Sequence, residues 1–203
     1  MTTVYLATGN PHKARELSEM VERENLALRI ALAHELGGMP EVEENANTFR
    51  GNAILKAGAL VDRIGRGNFA LADDSGLEVD ALKGGPGIHS SRYAGPKAKD
   101  EDNLKKLLAA LRGVGECDRG AQFTCCLILA DAKGGLMEFS GVCRGRIITR
   151  PLGRGGFGYD PVFVPDGYDQ TFGQLAAEVK SRISHRARAM AKLVQWMGRA
   201  GED

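Results

Sequence analysis

The sequence predicts an α/β fold built on a mixed sheet with flanking helices. Short apolar runs of strand length are interspersed with segments in which apolar residues recur every three or four positions, as on one face of a helix. Two long apolar runs, 121–131 and 136–147, are separated only by the sequence AKGG, which predicts an antiparallel hairpin. Because strands and helices do not alternate strictly, the sheet is expected to contain both parallel and antiparallel pairs.

The N-terminal elements are indicated by an apolar run at 3–7 and by helix-start signals after it. Asn10 is a favourable N-cap, and Pro11 suits the first helical position, where its missing N–H is not needed. Thr48 is expected to cap a second helix in the same way. Between these helices we predict a strand near 28–33 and an acidic loop over 34–47.

Glycine-rich stretches divide the rest of the chain. Residues 69–82 are predicted as two strand pieces around an Asp-Asp-Ser-Gly turn, and leucines at helical spacing predict a third helix near 104–111. After the hairpin, a glycine loop at 153–160 leads to a short strand, PVFVP. A single last helix is expected over roughly 173–198.

Composition limits the class of protein. The 203 residues, taken as one domain over 1–203, are 43% hydrophobic and 26% charged, which is typical of globular proteins. Lys and Arg total 27 against 26 for Asp and Glu, a balance that argues against a protein that binds nucleic acid. No apolar run approaches the ~20 residues that span a bilayer, so no membrane partner is expected.

A cytoplasmic location is also expected. The N-terminus lacks the basic start and long apolar stretch of a secretion signal. The four cysteines include no C-x-x-C pair. We therefore interpret them as small buried apolar side chains in a reducing compartment.

The stretch TGNPHK, residues 8–13, joins the first strand to the first helix. Gly9 allows a ligand to approach the backbone closely, and the helix start offers unpaired N–H groups and the positive end of the helix dipole. Lys13 adds a full positive charge one turn in. These features favour an anion such as phosphate. Taken alone, the segment fits a plain strand-to-helix turn with a solvent-facing lysine slightly better.

Adjacent carboxylates at Asp73 and Asp74 follow an apolar run and precede Ser75. Two such groups repel each other and lose hydration, a cost that a divalent cation removes. Mg²⁺ favours one or two carboxylates together with waters and substrate phosphate oxygens. A second acidic pair, Glu43 and Glu44, lies in the loop before the second helix. The pattern indicates a metal site, with an exposed acidic turn as the alternative.

Aromatic and basic residues form the third candidate group. In GGFGYDP, glycine-framed Phe157 offers a flat face on which a base could stack, although a tight turn anchored by aromatics explains the segment equally well. Lys180, His185 and Arg186 lie on or just before the last helix, where a solvated basic face is the alternative. Together, the three groups describe a nucleoside triphosphate bound with a metal ion.

Five segments, in order, resemble the inosine triphosphate pyrophosphatase family, also described as the non-canonical purine NTP pyrophosphatases or dITP/XTP pyrophosphatases. They are LATGNPHKARE (6–16), EENANTFRGNAILKA (43–57), ADDSGLEVDALKGGPGIHSSRYAG (72–95), GGFGYDPVF (155–163) and KSRISHRARAM (180–190). The resemblance implies Mg²⁺-dependent hydrolysis of ITP, dITP and XTP to the monophosphate and pyrophosphate. It also implies an elongated fold of two lobes around a central cleft, and a homodimer.

The resemblance also implies roles for individual residues. Asp74 corresponds to the proton acceptor and a metal ligand, and Glu43 to the second ligand, with Glu44 and Asp73 as rivals. The phosphate-binding residues would be Thr8, Gly9, Asn10, Pro11, His12 and Lys13. Further substrate contacts would come from Asn52, Lys56, Ser75 and Arg92. The nucleotide- and base-recognition set would be Phe157, Gly158, Tyr159, Asp160, Lys180, His185 and Arg186.

Three positions depart from the family pattern without removing a candidate ligand. Val179 stands where an acid often precedes the lysine, Ser91 replaces a frequent alanine, and Arg154 replaces a small residue before the glycine pair. Two rival functions remain open. One is a pyrophosphatase for modified pyrimidine or methylated nucleotides, and the other is a nucleotide-binding module without catalysis, which would not need the carboxylates.

Overall fold

The computed structural model describes residues 2–23 and 28–200, with side chains for 2–23 and 28–198. The strands of this described chain are β1 (Thr2–Leu6), β2 (Leu28–Leu32), β3 (Phe69–Val79), β4 (Gly120–Asp131), β5 (Leu136–Ile147) and β6 (Phe163–Pro165). Its α-helices are α1 (Pro11–Arg23), α2 (Phe49–Val61), α3 (Asp100–Ala110), α4 (Ala177–Ile183) and α5 (His185–Ala200). Short 3₁₀ turns, among them Gly87–Arg92 and Asp160–Val162, occur in the loops.

The strands form a mixed sheet, which confirms the predicted fold class. Hydrogen-bonded neighbours follow the order β2-β1-β3-β4-β5-β6. β1 is parallel to both β2 and β3, with Val4 opposite Ile30 on one side and Phe69 on the other. β5 and β6 are antiparallel. Parallel pairs need long crossovers, and α1 and α2 lie in the two connections that β1, β2 and β3 require.

The chain divides into two compact units, in agreement with the two lobes that the resemblance implies. The first unit contains Met1–Asp74, Cys125–Gly141 and Arg186–Asp203. The second contains Ser75–Thr124 and Val142–His185.

In the first unit, both faces of the sheet are covered. Successive strand residues point to opposite faces. Leu71 of β3 packs on one face with Leu17 of α1 and Met190 of α5. Its neighbour Ala70 packs on the other face with Leu60 of α2. Asp73 and Asp74, the next two residues but one along β3, therefore face α1 and α5 on one side of the sheet and α2 on the other.

The second unit has its own core. Leu77 of β3 and Phe123 of β4 pack with Leu107 of α3 and with aromatics from the segment after β5. Phe163 and Phe172 stack with ring centroids 5.4 Å apart, and Phe123 meets Phe163 edge-on at 4.7 Å. Aromatic packing of this kind stabilises beyond the apolar area that it buries.

Several local predictions are confirmed. The hairpin of β4 and β5 turns at Asp131–Gly135, where the backbone N–H of Asp131 donates to the Gly135 carbonyl over 3.1 Å. Thr48 caps α2 by accepting a hydrogen bond from the backbone N–H of Gly51 at 3.0 Å. The short strand predicted at PVFVP is β6, although its first two residues belong to the 3₁₀ turn before it.

The prediction of a turn at Asp-Asp-Ser-Gly, within 69–82, is wrong. β3 runs without interruption through Asp73, Asp74 and Ser75. Asp-Asp-Ser-Gly is a turn-favouring sequence, but both carboxylates find cationic partners on opposite faces of the strand, so the extended backbone is retained.

The prediction of a single last helix over 173–198 is also wrong, because two helices occupy this range. Residues 173–176 precede helix α4, and Ser184, with φ −64° and ψ 160°, separates α4 from α5. The apolar spacing continues across the break, which is why periodicity predicted one helix. Serine in an extended conformation directly before a helix is typical of an N-cap position.

The expectations for the cysteines and for membrane-spanning segments can be compared with the structure. Cys125, Cys126 and Cys143 are buried as expected, but Cys117 is exposed because it lies in a surface 3₁₀ turn, Glu116–Asp118. Within residues 2–23 and 28–200, no helix has both the length and the apolar character needed to cross a bilayer.

Candidate active site

The turn between β1 and α1 is organised by Asn10. Its side-chain oxygen accepts hydrogen bonds from the backbone N–H groups of His12 at 2.9 Å and Lys13 at 3.3 Å, which confirms it as the N-cap. The Thr8 hydroxyl oxygen accepts from the Asn10 N–H at 3.1 Å. The cap occupies two of the donors that a phosphate could use, so the charge brought by Lys13 becomes the main attraction for an anion here.

Asp73 is the centre of a buried charge network in the first unit. Its Oδ1 lies 2.5 Å from Lys13 Nζ, and its Oδ2 lies 2.7 Å from Arg186 Nε. The Cys125 thiol donates to the same Oδ2 at 3.3 Å. Arg186 also pairs with Glu16 of α1, so that β3, α1 and α5 are joined through one guanidinium. The side chains of Asp73 and Arg186 are 0% and 1% exposed.

The electrostatics of this network keep Asp73 ionised. Burial alone would raise its pKa, but the positive charges of Arg186 and Lys13, together with their hydrogen bonds, hold the pKa well below its usual range. Burial also raises the pKa of the Cys125 thiol, which therefore stays neutral and acts as a donor. With both oxygens engaged by protein cations, Asp73 is poorly suited to bind a metal ion.

Asp74 has a different environment, on the face of β3 that meets α2. Lys56 Nζ lies 2.6 Å from its Oδ1, and Asn52 Nδ2 lies 3.4 Å from its Oδ2. Asn52 and Lys56 are four residues apart and therefore share one face of α2. Burial raises the pKa of Asp74, while Lys56 and Lys13 oppose that rise only in part. Such a carboxyl group is a candidate for proton transfer.

Glu44 joins this group and Glu43 does not. Lys56 Nζ lies 3.5 Å from Glu44 Oε2, so one ammonium contacts the carboxylates of Glu44 and Asp74. Asn52 holds the loop in place, since its Oδ1 accepts the backbone N–H of Ala46 at 3.1 Å. Glu43 is exposed. The family resemblance implies Glu43 as the second metal ligand with Glu44 as a rival, and of these two Glu44 is the one that contacts Lys56.

The donor set fits Mg²⁺ better than a metal that requires a complete protein cage. Within the described residues, no three His, Cys, Asp or Glu side chains form a group that could hold a metal ion. Glu44 and Asp74 instead supply a pair of carboxylates beside one lysine. Mg²⁺ is commonly held by one or two carboxylates, with waters and substrate phosphate oxygens in the remaining positions.

In the second unit, Asp160 organises the loop that carries Phe157. Its Oδ2 accepts a hydrogen bond from the Phe157 backbone N–H at 2.8 Å and from Lys180 Nζ at 2.6 Å. The Lys180 ammonium lies 4.7 Å from the centre of the Phe157 ring, a cation–π distance. Gly156 has φ +72°, and a Cβ there would lie 1.9 Å from Asp160 Oδ2. Glycine is therefore required at this point of the loop.

His185 and Tyr159 lie deeper in the same unit. The His185 imidazole stacks on Phe123, with ring centroids 4.8 Å apart and an interplanar angle of 14°. The Tyr159 hydroxyl donates to the Ser90 carbonyl at 2.8 Å, and burial raises the pKa of this phenol. Tyr159 thus anchors the loop from inside, which was the alternative considered for the aromatics of this motif.

The predicted site residues fall into two groups. Residues of the first unit include Lys13, Asn52, Lys56, Asp73, Asp74 and Arg186. Those of the second unit are Ser75, Arg92, Phe157, Gly158, Tyr159, Asp160, Lys180 and His185. Arg186, which the resemblance places with Lys180 and His185, forms ion pairs with Asp73 and Glu16 of the first unit. Pro11 and His12 are exposed at the start of α1, and Ser75 and Arg92 are half-buried.

Glu16 and Cys125 were not predicted from the sequence as partners in the Asp73 network. Glu16 lies 170 residues from Arg186, and no local pattern connects them. For Cys125 a signal did exist, because its alternation with Cys126 in an apolar strand places one of the two on the face of the sheet that carries Asp73.

Proteins of known sequence resemble the chain over nearly its whole length. A dITP/XTP pyrophosphatase from Opitutus terrae is 49% identical over 197 residues, which cover 95% of this chain and 97% of that protein. A dITP/XTP pyrophosphatase from Rhodopirellula baltica is 47% identical over 191 residues, covering 94% and 90%.

Solved structures agree with this relationship. A HAM1 protein from Coxiella burnetii superposes with a TM-score of 0.88 at 36% identity, over 98% of this chain and all of that one. The Staphylococcus aureus Ham1 protein superposes with a TM-score of 0.85 at 37% identity, over both complete chains. A model of the Ham1 family matches residues 4–196, a range that includes both groups of site residues. The chain therefore belongs to the Ham1 family.

Proposed function

We propose that the protein is a Mg²⁺-dependent pyrophosphatase that hydrolyses ITP, dITP and XTP to the monophosphate and pyrophosphate. Relatives at 49% and 47% identity carry the name dITP/XTP pyrophosphatase. The observation that carries the proposal is the contact of one ammonium, Lys56, with the carboxylates of Asp74 and Glu44. A module that only bound nucleotides would not need two buried or half-buried acids there.

Asp74 and Glu44, with Glu43 as the alternative to Glu44, would hold the metal through their carboxylate oxygens. When bound, Mg²⁺ supplies charge neutralisation for the triphosphate and polarisation of the reacting phosphoryl group. Asp73 is left out of this set because Lys13 and Arg186 occupy its two oxygens.

Asp74 is proposed as the proton acceptor. It would orient a water and take its proton as the water oxygen bonds to the α-phosphorus and the bond from that phosphorus to the bridging oxygen breaks. Burial raises the Asp74 pKa, which makes the carboxylate a stronger base. Lys56 and Lys13, with the residues from Thr8 to His12, would stabilise the charge that develops on pyrophosphate.

The second group of residues is proposed to select the base. Phe157 is half-buried and offers a ring for stacking, and Lys180 and His185 are the candidate donors to the 6-oxo group of hypoxanthine or xanthine. Adenine presents an amino donor at this position and would leave buried donors unpaired, a penalty that supports discrimination. Gly158, Tyr159 and Asp160 would shape this part of the site, and Asn52, Ser75 and Arg92 are proposed as further substrate contacts.

The resemblance implies that Arg186 contacts the nucleotide directly, and its surroundings support a less direct role. Its side chain is 1% exposed and pairs with Asp73 and Glu16. We propose that it acts on the nucleotide chiefly through Asp73, which in turn holds Lys13.

We also propose a homodimer in the cytoplasm, where nucleoside triphosphates occur. The family resemblance supports both expectations. Light scattering on the purified protein would test the dimer, with twice the mass of one chain as the expected result.

The function is tested by pyrophosphate release from ITP, XTP, dATP, dGTP and dUTP, with Mg²⁺ and with EDTA. We expect fast, metal-dependent release from ITP and XTP and slow release from the standard nucleotides. Release from dUTP alone would keep the chemistry and overturn the base assignment. Binding of every nucleotide without hydrolysis would replace the enzyme with a binding module.

A further inference from the structure

The loop that carries Phe157 has an unusual need for outside support. Phe157 stands between Gly156 and Gly158, whose φ angles are +72° and +61°. Glycine restricts the backbone less than any other residue, so neither neighbour by itself holds the ring in one direction. The orientation of Phe157 therefore depends on hydrogen bonds to the peptide groups around it, in addition to the contact of its ring with the Lys180 ammonium.

Two residues supply those hydrogen bonds on either side of the ring. Asp160 Oδ2 accepts the Phe157 N–H at 2.8 Å, from within the loop. On the other side, the Gly158 N–H donates to Asp100 Oδ2 at 2.7 Å. Asp100 is the first residue of α3 and lies 58 residues from Gly158 in the sequence. It fixes the peptide between Phe157 and Gly158 from a different element of the second unit.

The contact is not a by-product of helix capping. α3 begins with three acids, and Asp102 accepts a hydrogen bond from the backbone N–H of Lys99 at 3.0 Å. Glu101 is exposed at the same turn. Only Asp100 of these acids reaches the loop among the contacts that the described residues make.

We propose that Asp100 is a positioning residue for base recognition, which sets the direction of the Phe157 ring by holding the Gly158 amide. The inference rests on the proposed function, since it takes the base to be the partner of Phe157. Hydrogen bonds to charged acceptors are among the stronger ones in proteins, so loss of this one should change nucleotide affinity measurably. Phosphate contacts belong to residues of the first unit and should not change.

Three variants separate this role from ordinary effects on the helix. Asp100→Ala removes the acceptor, Asp100→Asn keeps an acceptor oxygen without charge, and Glu101→Ala removes an acid from the same turn without touching the loop. Both alanine variants weaken the favourable interaction of α3 with its N-terminal charges, so their melting temperatures should fall by similar amounts. Any further difference between them reports on the contact with Gly158.

Two measurements are made on each variant. Steady-state kinetics with ITP gives KM and kcat, and competition by tripolyphosphate gives an affinity that depends on phosphate contacts alone. For Asp100→Ala we expect KM for ITP to rise about ten-fold, with kcat within about two-fold and tripolyphosphate inhibition unchanged. Asp100→Asn should recover most of the loss, and Glu101→Ala should match the wild type.

Hydrogen exchange of peptides covering 155–160, without nucleotide, supplies a readout independent of activity. Faster exchange in Asp100→Ala than in Glu101→Ala is the expected result. Equal exchange, or equal KM values for these two variants, would overturn the inference. If the wild type releases no pyrophosphate from ITP, the proposed function fails and the base-recognition role fails with it. The exchange result would then still decide whether Asp100 anchors the loop.

Discussion

Asp73 and Asp74 are neighbours in one strand, yet their carboxylates meet different cations on opposite faces of the sheet. Asp73 pairs with Lys13 and Arg186, and Asp74 pairs with Lys56. The pKa of Asp73 is held well below its usual range, and the pKa of Asp74 is raised by burial. Acids whose environments separate their pKa values in this way commonly have different roles. Here the first would stabilise the structure and the second would react.

The first prediction concerns Asp74. We expect Asp74→Asn to lower kcat for ITP about 10²- to 10³-fold, because the proton acceptor is lost. The melting temperature should stay within a few degrees, since burial already disfavours the charged form and Glu44 still contacts Lys56. Stopped-flow or coupled pyrophosphate assays and a thermal melt give the two values. An active Asp74→Asn enzyme would contradict the mechanism.

For Asp73 we expect a larger effect on stability than the one expected for Asp74. We expect Asp73→Asn to lower the free energy of unfolding by about 3 kcal/mol, because Arg186 and Lys13 would lose a buried counter-charge. Urea titration provides the measurement. Asp62→Asn makes the same chemical change at the exposed end of α2 and should stay within about 0.5 kcal/mol of the wild type. Equal urea midpoints for these two variants would refute a structural role for Asp73.

Magnesium dependence can decide whether Glu43 or Glu44 is the second metal ligand. Because Glu44 shares Lys56 with Asp74, we expect Glu44→Gln to raise the Mg²⁺ concentration for half-maximal activity about ten-fold. Glu43→Gln, at an exposed position, should change it far less. Magnesium titrations of ITP hydrolysis distinguish the two variants. The reverse ranking would restore Glu43 as the second ligand.

Gly156 should not tolerate a side chain. A Cβ there would clash with Asp160 Oδ2 at 1.9 Å and displace the acceptor of Phe157 N–H and Lys180 Nζ. Gly167 has a similar φ, +82°, but open space around it. Alanine at either position adds backbone strain of about 1 kcal/mol. We expect only Gly156→Ala to lose further stability and to raise KM for ITP, and equal thermal melts and kinetics would exclude the clash.

The stability contributed by the turn between β4 and β5 should depend on pH. Asp131 accepts backbone N–H groups from Gly135 at 3.0 Å and Lys133 at 2.7 Å, and these bonds lower its pKa. A depressed folded-state pKa gives stability that is present above the unfolded pKa of about 3.9 and is lost as pH falls through the folded pKa. The urea midpoint of Asp131→Ala should therefore lie below that of the wild type at pH 7. The gap should narrow as the pH falls below about 4, and a constant gap would exclude this linkage.

The pattern of local elements was predictable because it depends on neighbouring residues. Asn10 and Thr48 cap helices through backbone groups two or three positions away, and the β4–β5 hairpin follows from two apolar runs around a glycine turn. The same locality explains the failures. The turn propensity of Asp73-Asp74-Ser75 was overridden by cations from other elements, and the break at Ser184 left the apolar period unchanged.

The sequence by itself determined the mixed α/β fold class, the family and the types of residue available for phosphate, metal and base. The motifs contain those residues whatever the packing. Only the tertiary structure decided which cations each acid pairs with. Strand alternation gives Asp73 and Asp74 opposite faces, but the identity of each face depends on where α1, α2 and α5 pack. Contacts such as Arg186 with Glu16 and Gly158 with Asp100 join residues 170 and 58 positions apart, so they arise only when the chain is folded.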